Sequence, residues 1–94
     1  MTRSIQRIGD RNTGGGVILA SPQDTVFVNS KIASVNGATG TPHGSRPRSH
    51  SGWRTAGGVG AVFINSIPVN VAGNTDSCGH QRMGGSSDVF IGET

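Results

Sequence analysis

Val26-Phe27-Val28-Asn29-Ser30 returns later in the chain as Val62-Phe63-Ile64-Asn65-Ser66, and its opening returns again as Val89-Phe90-Ile91-Gly92-Glu93. The chain holds three Phe, and each occupies the second place of this motif. Branched and aromatic residues in such short runs, bounded by turn-forming residues, predict β-strands. A strand used three times predicts a quasi-symmetric object.

The correspondence runs beyond the strands. Ile32 aligns with Pro68, Val35 with Val71, Gly37 with Gly73 and Thr39 with Thr75. After the first unit stands Thr41-Pro42-His43-Gly44, and after the second Ser77-Cys78-Gly79-His80. A glycine-rich run precedes each strand: Gly14-Gly15-Gly16, Gly57-Gly58-Val59-Gly60 and Gly84-Gly85. The third unit has no such continuation, because the sequence stops.

The expected fold class is all-β, in one domain spanning 1–94. Val17 to Ala20 reads as a strand, and Ser21-Pro22-Gln23-Asp24 as a turn. Val26 to Asn29 is a strand with Lys31 to Val35 as its returning partner; Val62 to Asn65 and Pro68 to Val71 repeat that pair. Val89 to Ile91 closes the chain. Residues 1–13 read as an irregular lead-in, and 37–60 and 73–88 as loops. No window carries apolar residues at helical spacing for three turns. The longest aliphatic run, Val17-Ile18-Leu19-Ala20, is far too short to span a bilayer, and no signal-type apolar segment opens the sequence, so synthesis in a cytoplasm is expected.

Alternation puts Val26 and Val28 on one face and Phe27 on the other. Val62 and Ile64 likewise oppose Phe63, and Val89 and Ile91 oppose Phe90. Each unit therefore has two apolar faces. One fills the core, and the other needs a cover. The expectation is that Phe27, Phe63 and Phe90 point inward; the alternative is a compact barrel burying both faces.

The core is thin. Hydrophobic residues other than glycine make up 32% of the 94 residues and aromatics 4%, so few large side chains are available to bury. A chain this small needs a further staple. Its single Cys rules out an internal disulfide, which leaves a metal or a partner.

His43, His50, Cys78 and His80 all fall in the two long loops. Three imidazoles and one thiolate make a full tetrahedral set for zinc, with iron as the alternative ion. In an extended chain Cys78 and His80 would stand about 7 Å apart, and Gly79 lets the backbone bend to bring both to one ion. Four protein ligands close the coordination sphere, whereas a catalytic zinc keeps a position open. The ion is thus expected to be structural, and the protein not to be an enzyme. Asp10, Asp24, Asp76, Asp88 and Glu93 show no paired spacing, and Gly14–Gly16 lacks the lysine of a phosphate loop.

Arg7-Ile8-Gly9-Asp10, Gly15-Gly16-Val17-Ile18, the Ser-Pro turn, Val26-Phe27-Val28-Asn29, Val62-Phe63-Ile64-Asn65-Ser66-Ile67-Pro68, Cys78-Gly79-His80 and Val89-Phe90-Ile91-Gly92 together resemble the PAAR-repeat proteins, over nearly the whole chain. The eponymous Pro-Ala-Ala-Arg is degenerate: Pro68-Val69-Asn70-Val71 keeps the proline, and Ile32-Ala33-Ser34-Val35 keeps one alanine. The resemblance implies a small pseudo-threefold cone with a metal near its apex. It implies a broad base seated on the blunt end of a trimeric β-helical spike, one copy per trimer, sharpening that spike to pierce a cell envelope. The ending just after the third strand resembles the phage tail-tip members, which implies a place at the tip of a virion baseplate and a monomer when alone.

Three other classes stay open on sequence. A bacterial type VI secretion tip, exported from the cytoplasm and recruiting effectors, would share the fold. A small zinc module could bind nucleic acid through Arg46, Arg48 and Arg54 beside His50 and Trp53, although a net charge of +3 is modest and no nucleic-acid partner is expected. A thiol enzyme would need a reactive Cys78, yet its glycine-rich loop offers no third orienting group.

Overall fold

Short strands punctuated by glycine and asparagine cannot build wide sheets, and this chain pairs its strands two by two. The computed structural model describes residues 2–44 and 51–92. The described residues hold eight strands and no helix: β1 (Thr2–Ser4), β2 (Ile18–Ala20), β3 (Phe27–Val28), β4 (Lys31–Ile32), β5 (Thr39–Gly40), β6 (Phe63–Ile64), β7 (Ile67–Pro68) and β8 (Phe90–Gly92). All pairing is antiparallel: β3 with β4, β6 with β7, β1 with β8 and β2 with β5.

In matching register, Phe27 faces Ile32, Phe63 faces Pro68 and Phe90 faces Ser4. The first two pairs are hairpins closed by Asn29-Ser30 and Asn65-Ser66. All four turn residues have positive φ, between 52° and 66°. Two central residues in this region make a type I′ turn, whose twist suits a two-residue hairpin. Asparagine tolerates that conformation; serine does so at a cost on the order of 1 kcal/mol that glycine avoids. A Ser30→Gly/Ser66→Gly variant is therefore expected to gain about 1 kcal/mol net of its extra unfolded-state entropy, raising the melting temperature by roughly 4–8 °C. A lowered midpoint in thermal denaturation would contradict this.

The third pair has no tight turn. It is made from opposite ends of the chain, β8 bonding β1. Residues 1–13, expected as an irregular lead-in, thus supply a strand. Thr2-Arg3-Ser4 has no apolar alternation of its own, and its extended state is imposed by the partner strand.

Past each pair the chain enters a central ring. Gln6 donates its backbone N–H to Asn70 O at 3.0 Å, Ser34 donates to Gln6 O at 2.8 Å, and Asn70 donates to Ser34 O at 3.0 Å. Single antiparallel bridges run beside these bonds, Ile5 to Val71, Arg7 to Ala33 and Val35 to Val69. The surrounding bonds come in matching sets. Ile5, Ala33 and Val69 donate to Val89, Val26 and Val62; Ile8, Asn36 and Ala72 donate to Ile32, Pro68 and Ser4. Asp10, Ala38 and Asn74 donate to Arg7, Val35 and Val71, closing tight turns at Gly9, Gly37 and Gly73, all with positive φ. Asp10 Oδ2 and Asn74 Oδ1 cap Arg7 N–H and Val71 N–H; Ala38 has no such oxygen, and Val35 N–H turns to Ser21 Oγ.

The core gathers around this ring: Ile5, Val28, Ala33, Val35, Val59, Val69 and Val71, with Val62, Ile64, Ile67 and Ile91 packed against it. Phe27, Phe63 and Phe90 do not point inward. They are 57%, 52% and 50% exposed, while Val28 is 8% exposed and Ile64 and Ile91 turn toward the core. The alternation separates the phenylalanines from Val28, Ile64 and Ile91, but the inward face is the opposite one, and Val26 and Val89 are themselves 40% and 37% exposed. Three segments bonded backbone to backbone leave room for branched aliphatics and not for phenyl rings. The stretch 37–60, expected as one loop, also carries β5 and a bridge from Thr39 to Arg54.

Candidate metal centre

Three loops leave the ring, and each is closed at its neck by the same bonds. Gly9, Gly37 and Gly73 donate to Ile18, Thr55 and Arg82, and those residues donate back to Asp10, Ala38 and Asn74. The second loop carries His43, and the third carries Cys78 and His80. The first brings Thr13, Gly14 and Gly16 against them. One ligand atom from each of His43, Cys78 and His80 can be chosen so that all lie within 4.8 Å of one another. Around a tetrahedral zinc, ligand atoms stand about 3.3–3.8 Å apart. Cys78 Sγ and His43 Nε2, at 3.6 Å, already satisfy this. The three residues form a group that could hold a metal ion. His50, the fourth ligand expected from sequence, lies outside the described residues.

Local structure explains the convergence. Gly79 N–H bonds Asp76 O at 2.9 Å and Asp76 N–H bonds His80 O at 2.7 Å, so residues 76–80 fold into a turn with Gly79 at φ 92°. That bend joins Cys78 and His80 at one point. His43 is buried, with Nδ1 3.2 Å from Thr41 O. A carbonyl oxygen only accepts, so Nδ1 carries the proton and the Nε2 lone pair faces the thiol, a common device for orienting a metal-binding imidazole. The same carbonyl accepts Trp53 Nε1–H at 2.7 Å. His80 Nδ1 lies 3.3 Å from Thr13 Oγ1.

Glycine in the first loop is dictated by these rings. A Cβ on Gly14 would sit 2.5 Å from His80 Nε2, and one on Gly16 would sit 2.5 Å from His43 Nδ1. A Cβ on Gly14 would also stand 2.8 Å from His43 Cδ2, so Gly14→Ala is expected to push the imidazoles apart and weaken metal binding at least about 10-fold. A metal titration checks this; unchanged affinity would show that His80 Nε2 is not a ligand.

A buried polar layer abuts the cluster. Asn12, Asp76 and Arg82 are 1%, 3% and 2% exposed. Asn12 Oδ1 accepts the N–H groups of Gly14 and Gly16 at 3.0 and 2.8 Å, and its Nδ2 donates to Asp76 Oδ2 at 2.9 Å. Arg82 Nε stands 3.6 Å from the same carboxylate oxygen, and Nη2 donates to Gly16 O at 3.4 Å. Burial holds the Asp76 carboxyl above its ordinary value against the pull of Asn12 and Arg82, and burial lowers Arg82.

Trp53, which the sequence set among basic residues, is 3% exposed and packs with Ile18 and Ala38, with Ile8 and Cys78 against them. Its ring meets His43 edge-on at 5.4 Å and lies 5.4 Å from the Arg82 guanidinium carbon. Trp53 is therefore the floor of the cluster. Arg54 is exposed, and Arg46 and Arg48 lie outside the described residues.

Sequence reasoning assembled His43, Cys78 and His80 but missed Asn12, Gly14, Gly16, Asp76 and Arg82. The only visible trace was the Gly14–Gly16 run. No protein-family model matches the chain, and no curated protein does.

Proposed function

We propose that this chain is a non-enzymatic tip that caps the blunt end of a trimeric β-helical spike, in a contractile injection machine of the phage-tail type. The observation that carries this is the placement of Phe27, Phe63 and Phe90. They occupy equivalent positions on three matching strand pairs, and all three are about half exposed. Exposed apolar groups of this size mark a contact face. Three equivalent contacts on one chain suit a partner that is itself threefold. The ring of Gln6, Ser34 and Asn70, with its matched sets of bonds, supports a pseudo-threefold axis through the molecule. One copy would then serve three spike chains.

In the same proposal, His43, Cys78 and His80, with His50 as the fourth ligand, hold one structural zinc that ties the loops into a rigid point. Zinc supplies strong bonds to neutral imidazole and thiolate, and folding energy with them. The chain's own part is to orient His43 through Thr41 O and to keep the ring faces clear at Gly14 and Gly16.

The test is co-elution with the trimeric spike protein of the same genome on gel filtration. A stable complex is expected. Separate elution at micromolar concentrations would overturn the assignment.

A further inference from the structure

We infer that Asn12, Asp76 and Arg82 are positioning residues for the His43–Cys78–His80 cluster, gathering its ligand atoms before a metal arrives. The inference rests on the metal reading above. The three side chains form one continuous network that joins the loops. Asn12 folds the Gly14–Gly16 turn against both imidazoles and grips Asp76. Asp76 begins the turn that presents Cys78 and His80. Arg82 reaches back to Gly16 O and lies against Trp53, whose indole shares Thr41 O with His43.

Stability alone does not account for such a layer. Burying an ion pair costs desolvation that its attraction often fails to offset, and well-packed apolar residues frequently do better. Among the described residues, Asp76 Oδ1, Arg82 Nε and Arg82 Nη1 are buried and accept or donate no hydrogen bond within the protein. What the network does supply is geometry. Its polar contacts fix the turns that carry or border the described ligands, and outer residues of this kind typically matter about 10–100-fold in metal affinity.

The experiment uses the full chain stripped of metal by a chelator and titrated with Co²⁺, then with Zn²⁺ in competition. The wild type is expected to give the intense visible bands of tetrahedral Co²⁺ and a thiolate charge-transfer band. Asp76→Asn/Arg82→Met removes both buried charges together, so that no lone charge unfolds the protein. It is expected to keep its far-ultraviolet circular dichroism but bind metal roughly 10–100-fold more weakly, with visible bands reduced or shifted. Asn12→Ala adds no charge and removes both the acceptor for Gly14 and Gly16 and the donor to Asp76. It is expected to weaken binding in the same direction and serves if the double variant fails to fold. Wild-type affinity and spectrum in either folded variant would overturn the positioning role while leaving the metal site standing. Failure of the wild type to bind Co²⁺ or Zn²⁺ would overturn both.

Discussion

Cys78→Ser is expected to strip the protein of its metal and lower its melting temperature by roughly 15–30 °C. The size follows from linkage. A metal present at about 1,000 times its dissociation constant stabilises the folded state by about 4 kcal/mol, and a domain of this length shifts roughly 4–8 °C per kcal/mol. The thin core makes the loss conspicuous. Its buried aliphatics surround the ring, whereas the loop end has Ile18, Ala38 and Trp53 and a polar layer. Elemental analysis with differential scanning calorimetry checks both halves. One metal ion per wild-type chain, none in the variant and a coincident drop in midpoint are expected; equal metal content in both would show the thiol to be a bystander. Acidification should act in the same direction, because protons compete with the metal for imidazole and thiolate. Metal retained at full stoichiometry at pH 3 would contradict that chemistry.

The second large effect is at the proposed contact face. Phe27→Ser/Phe63→Ser/Phe90→Ser is expected to abolish binding to the proposed spike trimer. Since the chain itself covers the other half of each ring, the triple variant is also expected to melt at a lower temperature, and circular dichroism checks that the protein assayed is folded. Each ring leaves about half of its roughly 200 Å² in solvent, so covering it is worth about 2.5 kcal/mol at 25 cal/mol per Å². Three rings amount to about 7 kcal/mol, or about five decades in affinity. Single variants should lose roughly one to two decades each, and similarly, since the three sites are equivalent. Interferometry on an immobilised trimer reads this. One dominant ring beside two neutral ones would argue against a threefold contact.

How much of this was legible in the sequence differs by element. The two hairpins were plain, because Val-Phe-Val-Asn-Ser and Val-Phe-Ile-Asn-Ser carry their signal locally. The third pair was hidden, since Thr2-Arg3-Ser4 becomes a strand only by meeting β8 across the chain ends. Alternation separated Phe27 from Val28 but could not say which face turns inward; that depends on the room left by a ring closed through backbone bonds. His43, Cys78 and His80 stood out because imidazole and thiol are rare here and fell in matching loops. Arg82 was invisible as a buried residue, since an arginine among glycines reads as a solvated cation until Asp76, Asn12 and Trp53 enclose it.

Native mass spectrometry of the chain mixed with the spike trimer puts the whole proposal to its hardest trial. One copy of the chain, three spike chains and one zinc ion is the mass expected. A complex with three copies per trimer, or a single copy bound without metal, would contradict it.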